Sequence, residues 1–221
     1  MRKIRERYLA EPEVLEILRE AGIPFARTVI CSTVDEAAAA ARSLRYPVAL
    51  KLVSPDIAER SKVGGVRAGV GSEPELRRIF EDLVRKAETA GWRVAGVVVQ
   101  EYIPAGREVR VRGFRDEKLG PAVMFEPVGF WAEVLGDCNF RLAPLDRREA
   151  EEMVRETFAY HLLGGADGSR PSDIGALVDA ICRVGDLISR AGHISEISLH
   201  PLKLLEKGAV AVDVKVKVRV G

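Results

Sequence analysis

The chain of 221 residues is poor in several residue types, and each shortage removes a class of explanation. Its three cysteines, Cys31, Cys138 and Cys182, are odd in number and far apart. They fit neither a disulfide framework nor the paired spacing of a metal site, and they read as buried free thiols. The three histidines, His161, His193 and His200, leave everything before residue 161 without an imidazole. No apolar run approaches the roughly 20 residues that span a bilayer. The N-terminus, MRKIRERYLAEPEVLEIL, is charged and amphipathic and lacks the apolar core of a secretory signal, so a cytoplasmic location is expected. Net charge is only +1, which gives no bulk electrostatic pull toward nucleic acid or an anionic membrane. Neither is expected as a partner.

What is present is concentrated between Tyr46 and Gly71, YPVALKLVSPDIAERSKVGGVRAGVG. Lys51 interrupts an apolar, strand-like run from Val48 to Val53. A lysine in such a run is costly to bury unless an anion meets it. A polar loop follows, then Gly64-Gly65, a turn at which backbone N–H groups can approach a phosphate closely. The pair suggests a nucleotide phosphate held between a strand lysine and a glycine hairpin. Taken singly, Lys51 could snorkel to solvent and the glycines could be an ordinary hairpin turn.

The rest of the chain alternates helices and strands. Apolar residues at helical spacing mark Glu11 to Ala21, with Gly22 as the stop. Thr28 to Cys31 reads as a strand, and Ser32 or Thr33 caps an Ala-rich helix to about Arg45. Strands follow at Pro47–Val53 and Val63–Val70, then a helix from Glu73 to Ala90 capped by Ser72, and an apolar strand Val94–Ile103. Charged and apolar residues alternate from Glu108 to Phe114, the mark of a half-exposed strand. It turns at Asp116–Gly120 and returns from Ala122. Asn139–Ala143 is a further strand. Helices capped by Asp146 and Ser172 run to about Tyr160 and Arg190. His193–Leu199 is a short strand, and Lys203–Leu205 with Ala209–Val220 forms a terminal hairpin. The fold class is α+β in two lobes, divided as 1–101 and 102–221, with a hinge near 101–107.

Five segments, YPVALKLVSPDI, SKVGGV, VVVQEYIPAGREV, AEVLGDCNFRLAPL and EKGAVAVDVKV, occur in an order and spacing that resemble an ATP-grasp domain. More narrowly, they resemble the small ATP-grasp subunit of the ADP-forming acyl-CoA (acetate–CoA) synthetases, relatives of succinyl-CoA synthetase. The resemblance runs from about Leu15 to Val220. It implies two subdomains clamping ATP or ADP with Mg²⁺, and a hetero-oligomer with a CoA-binding alpha subunit that forms the acyl phosphate. It implies roles position by position. Lys51 contacts phosphates and Gly64 and Gly65 form a lid hairpin. The backbone of Glu101, Tyr102 and Ile103 reads the base, with the Glu101 carboxylate near the ribose. Glu108 and Arg141 reach the nucleotide from the second lobe, and Asp213 is a magnesium ligand.

Three positions depart from the family pattern. A histidine that carries phosphate between subunits normally sits in the loop before the glycine pair, where this chain has Glu59 and Arg60. A glycine-rich stretch is replaced by Glu126-Pro127-Val128-Gly129, and an acid-x-Asn-Pro motif becomes Ser198-Leu199-His200-Pro201. His200 thus occupies a metal-ligand position, although imidazole suits a hard cation poorly. Three readings follow: an active nucleotide-binding subunit, a degenerate homologue acting as a structural or regulatory subunit, and a stand-alone ATP-grasp carboxylate ligase that needs no histidine carrier.

Overall fold

The computed structural model describes residues 5–57, 60–129, 134 and 136–220. The chain divides into two compact units: 26–104, and 1–25 together with 105–221. The first 25 residues therefore group with the C-terminal half and not with 26–101, and the second boundary falls at 104/105.

In the smaller unit, strands β2 (Thr28–Cys31), β3 (Val48–Val53), β4 (Val66–Val70) and β5 (Gly96–Glu101) form an antiparallel sheet in the order β2-β5-β3-β4. Helices α2 (Val34–Leu44) and α3 (Glu73–Thr89) supply the apolar stripes that cover it. Period-two alternation sends Val48, Leu50, Leu52, Val97 and Val99 into the core with Leu76, Phe80 and Leu83. Ala49, Lys51, Val98 and Gln100 point to the other face. Thr33 opens α2 with a reciprocal capping box, its hydroxyl accepting from Glu36 N–H and the Glu36 carboxylate accepting from Thr33 N–H. Ser72 precedes α3 without making a side-chain cap bond.

The larger unit is a sheet with helices on one face. Its strands are β1 (Arg5–Tyr8), β6 (Arg107–Asp116), β7 (Gly120–Pro127), β8 (Asn139–Leu142), β9 (Ile194–Leu204), β10 (Ala209–Ala211) and β11 (Val214–Val220). Their order among the described residues is β1-β11-β9-β6-β7-β8, with β10 pairing β9. Helices α1 (Glu11–Glu20), α4 (Arg147–Arg155), α5 (Ala159–Leu163) and α6 (Ile174–Arg190) complete the unit. Leu177, Val178, Ile181, Val184 and Ile188 of α6 are fully buried against Val111, Val123 and Ile197, each stabilising the unit by about 1.5–3 kcal/mol.

Close approach of α6 to the sheet depends on two glycines. A Cβ on Gly113 would lie 2.8 Å from Val184 Cγ1, and one on Gly185 would lie 2.5 Å from Leu145 Cδ2. Arg115 of β6 closes the C-terminal end of α6. Its guanidinium donates to the carbonyls of Ile188 and Ala191, and its Nε donates to Ile194 O at 2.9 Å, meeting helix carbonyls that have no intrahelical partner. Asp173, rather than Ser172, caps α6, and its other oxygen accepts from Gly208 N–H at 2.8 Å. The helix begun at Asp146 stops at Arg155 and a separate turn resumes at Ala159, since the Thr157 hydroxyl bonds back to Val154 O.

Cys31 is buried and Cys182 partly so, but Cys138 is exposed, which corrects the expectation of three buried thiols. No helix among the described residues is long and apolar enough to cross a membrane.

Candidate functional site

In the smaller unit, Lys51 is 5% exposed on a central strand, opposite Val66 of β4 and Val98 of β5. The chain then returns through the glycine pair. Gly64 takes a left-handed φ of +64°, which a side chain would resist. Gly65 N–H donates to Arg60 O at 2.7 Å, and Gly65 O accepts from Leu52 N–H at 2.8 Å, so the turn is tied to both ends of its loop. Arg67 Nη1 donates to Gly64 O at 3.1 Å. Lys86 of α3 also faces the turn, its Nζ only 2.8 Å from where a Gly64 Cβ would lie. Gly64, Arg67 and Lys86 line one small cavity of about 50 Å³ with Ile79, Asp82 and Leu83. Arg67 and Lys86 bring positive charge to the turn, while Asp82 lines the same cavity and the N–H groups of Gly64 and Gly65 donate to Ser61 O and Arg60 O. The position of the expected phosphocarrier, Glu59, lies outside the described residues.

At the end of β5, Glu101 is fixed by Arg27. Its N–H donates to Arg27 O at 2.9 Å and its carboxylate accepts from Arg27 Nε at 3.0 Å. That hydrogen bond holds the carboxyl below its ordinary range. Tyr102 lies against Gly69, where an added Cβ would meet its ring at 3.9 Å, and Ile103 is half-buried.

In the larger unit, a second set of polar residues shares the sheet face opposite α6. Glu108 pairs with Lys203 Nζ at 3.0 Å, and Arg110 donates to Glu126 at 3.0 Å. Here the ladder is irregular. Val109 pairs with Leu202 and Val111 with Leu199, so His200 and Pro201 oppose the single residue Arg110. This is a bulge, the device that re-aims a side chain. It also accommodates Pro201, which has no N–H for the ladder, and one strand, β9, runs through both segments expected as separate strands. His200 N–H donates to Asp213 O at 2.9 Å. Asp213 lies in the bend between β10 and β11, not on a strand.

Burial is the main force lowering the His200 pKa below its ordinary value, followed by Arg110; Glu108, Asp213 and Glu126 pull the other way. The imidazole is therefore neutral near pH 7, and its Nδ1 is buried without a hydrogen-bond partner among the described residues. Glu126 is held in an ion pair by Arg110. Glu108, His200 and Asp213 are thus brought together. Arg141 is not: it pairs in register with core-facing Val123, and its guanidinium donates to Glu156 at 2.6 Å on the helix side of the sheet. Arg107 and Arg112 are engaged by Asp167 and Glu196.

No group of three or more His, Cys, Asp or Glu side chains converges to hold a metal among the described residues. Asp213 offers the oxygen donor that Mg²⁺ prefers, whereas the His200 imidazole does not. The donor set fits a cation carried in on phosphate oxygens and does not fit an all-protein cage.

Residues 1–218 match the ATP-grasp domain family. The beta subunit of acetate–CoA ligase [ADP-forming] I from Pyrococcus furiosus is 39% identical over 215 residues, which are 96% of this chain and 93% of that subunit. Acetate–CoA ligase [ADP-forming] I from Archaeoglobus fulgidus is 42% identical over 91% of this chain, but the match spans only 30% of that longer protein. Among solved structures, the acetyl-coenzyme A synthetase 1 of Ca. Korarchaeum cryptofilum in complex with coenzyme A and Ca-AMPCP superposes with a TM-score of 0.92 at 34% identity. That match covers 96% of this chain and 94% of the other.

Proposed function

The chain belongs to the ATP-grasp domain family, and from that premise we propose that it is the nucleotide-binding subunit of an ADP-forming acyl-CoA synthetase. The observation that carries this reading is the nearly end-to-end correspondence with a free-standing beta subunit, 96% of one chain against 93% of the other. Its partner is a CoA-binding alpha subunit, in a cytoplasmic hetero-oligomer. The pair moves a phosphoryl group between ATP or ADP and an acyl phosphate formed on the partner.

In this reading Lys51 presents a point charge to the phosphates. The backbone at Gly64 and Gly65, backed by Arg67 and Lys86, lies over them. Glu101, Tyr102 and Ile103 hold the nucleoside. Glu108 and Asp213 act from the larger unit, Asp213 as a carboxylate for Mg²⁺ that arrives on the nucleotide. Arg141 is assigned a structural role, bracing β8 against Glu156.

Calorimetry on the full chain with Mg-ADP tests the proposal: saturable binding is the expected result, and no heat at millimolar nucleotide refutes it. A second reading, a subunit that binds nucleotide but has lost phosphoryl transfer, is favoured by one observation, the Arg110–Glu126 ion pair beside a neutral His200. Acyl-CoA formation from ATP by the chain reconstituted with its CoA-binding partner would exclude it.

A further inference from the structure

An open sheet has two free edges, and an exposed edge strand is a template for a strand of another chain. In the larger unit those edges are β1 and β8 among the described residues. β1 is protected by composition, since Arg5, Glu6 and Arg7 are charged and exposed. The outward side chains of β8 give no such protection. Phe140 and Leu142 are each 53% exposed, on the sheet face opposite α6.

The ladder shows which backbone groups of β8 are free. Ala143 N–H donates to Pro121 O at 2.9 Å. Residues 143, 141 and 139 therefore turn their N–H and C=O groups inward to β7, and Phe140 and Leu142 turn theirs outward. The outward groups of Phe140 are already occupied. Its N–H donates to Asn139 Oδ1 at 3.0 Å, and its carbonyl accepts from Arg141 Nη1 at 3.0 Å. The same Nη1 donates to Asn139 Oδ1 at 2.9 Å, which joins the two side chains along the edge. Glu156 anchors both, accepting from Asn139 Nδ2 at 2.5 Å and from Arg141 Nη2 at 2.6 Å. The outward N–H and C=O of Leu142 have no partner among the described residues.

We infer that Asn139 and Arg141 guard this edge and keep β8 from pairing with β8 of a second copy of the chain. Two identical strands meet antiparallel about a two-fold axis normal to the sheet, which leaves each side chain on its own face. The register that uses both outward residues sets Phe140 opposite Leu142 of the second copy, and the reverse. Each such pair exchanges both backbone hydrogen bonds and adds an apolar cross-strand contact. The same register sets Arg141 directly opposite Arg141 of the second copy, a like-charge contact that opposes pairing. Arg141 thus acts twice, by holding the Phe140 carbonyl and by repelling its own copy, while Asn139 holds the N–H. Neither residue belongs to the nucleotide-binding set, so the inference stands apart from that reading.

The test is sedimentation velocity on the full chain over a concentration series, with circular dichroism to establish folding. Arg141→Met removes the hydrogen bonds and the charge but keeps an unbranched stem, and it is expected to tighten self-association about tenfold or more relative to the wild type. Arg141→Gln removes the charge with a smaller change of polarity and gives the same reading if Arg141→Met does not fold. Phe140→Lys added to either variant places a charge on the exposed edge and should return wild-type sedimentation. Phe140→Lys alone should sediment as the wild type, because the guarded edge is not in use. Folded Arg141→Met and Arg141→Gln chains that sediment as the wild type overturn the inference. Association that Phe140→Lys fails to reverse also overturns it, as does altered sedimentation in Phe140→Lys alone.

Discussion

Replacing Gly113 with alanine tests how tightly α6 is seated on the strand that also carries Glu108 and Arg110. The new methyl would lie 2.8 Å from Val184 Cγ1, 3.1 Å from Ile197 Cγ2 and 3.3 Å from Ile188 Cβ. All three neighbours are fully buried, so none can swing into solvent. The Ile188 contact is to a Cβ, which moves only with the helix backbone. Relief requires α6 to lift by several tenths of an ångström, loosening the seat of Gly185 against Leu145 and Val123. Overpacking of this kind costs about 1–3 kcal/mol, partly offset by the ~0.4–1 kcal/mol that alanine gains by restricting the unfolded chain. The net is a loss of about 1–2 kcal/mol, or about 2–8 °C in Tm for a chain of this size. Gly192→Ala supplies the opposite control. Its added methyl would meet nothing within 4 Å, and its φ is not left-handed, so it should be neutral or gain up to about 1 kcal/mol. Urea and thermal unfolding followed by circular dichroism measure both. A Gly113→Ala chain as stable as Gly192→Ala would refute the packing argument.

Three further outcomes are expected. Burial pushes the Cys31 thiol up to about 11, with Glu36 adding to the shift. Iodoacetamide at about pH 8 should label exposed Cys138 and spare Cys31, and equal labelling would contradict the burial. Because the folded pKa is raised, the protonated thiol contributes stability fully present below the ordinary value of 9.0 and lost progressively as pH rises toward about 11. Cys31→Ser should change the stability slope in that alkaline window only. Arg115→Met removes the donors to two carbonyls at the end of α6, Ile188 and Ala191, and to Ile194 O at the start of β9, and should cost about 1–3 kcal/mol, read as faster hydrogen exchange in the last turn of α6; unchanged protection there would show the contacts to be incidental. His200→Asn substitutes an oxygen donor for a neutral imidazole beside Asp213 and should tighten Mg-ADP binding more than metal-free ADP binding, and an equal effect on both would argue against a metal role at that position.

Much of this was legible in the residues. Lys51 inside VALKLV, the Gly64-Gly65 turn and the alternation through Glu108 to Phe114 reported the strands and their faces directly, because period-two burial imposes that pattern. Other features depend on partners distant in sequence. Arg5 to Tyr8 is exposed throughout and charged at its first three residues, and nothing local marks it as a strand; its ladder with Lys217–Val220 makes it one. Asp213 leaves the strand because residues 211–213 bend to bond Pro24 and Pro201, and Arg141 turns toward Glu156 because the register of β8 on β7 sets its face. Asp173 prevails over Ser172 as a cap by holding Gly208 as well, a contact 35 residues away.

The pairing of Arg5 with Val220 has a consequence for the order in which the larger unit can form. The segment 26–104 is a compact unit that lies between the two paired strands in sequence, so β1 waits through its synthesis before residues 217–220 exist to meet it. Loss of residues 217–220 would leave Arg5–Tyr8 without the ladder it makes among the described residues, and damage to one strand is thereby felt at the other.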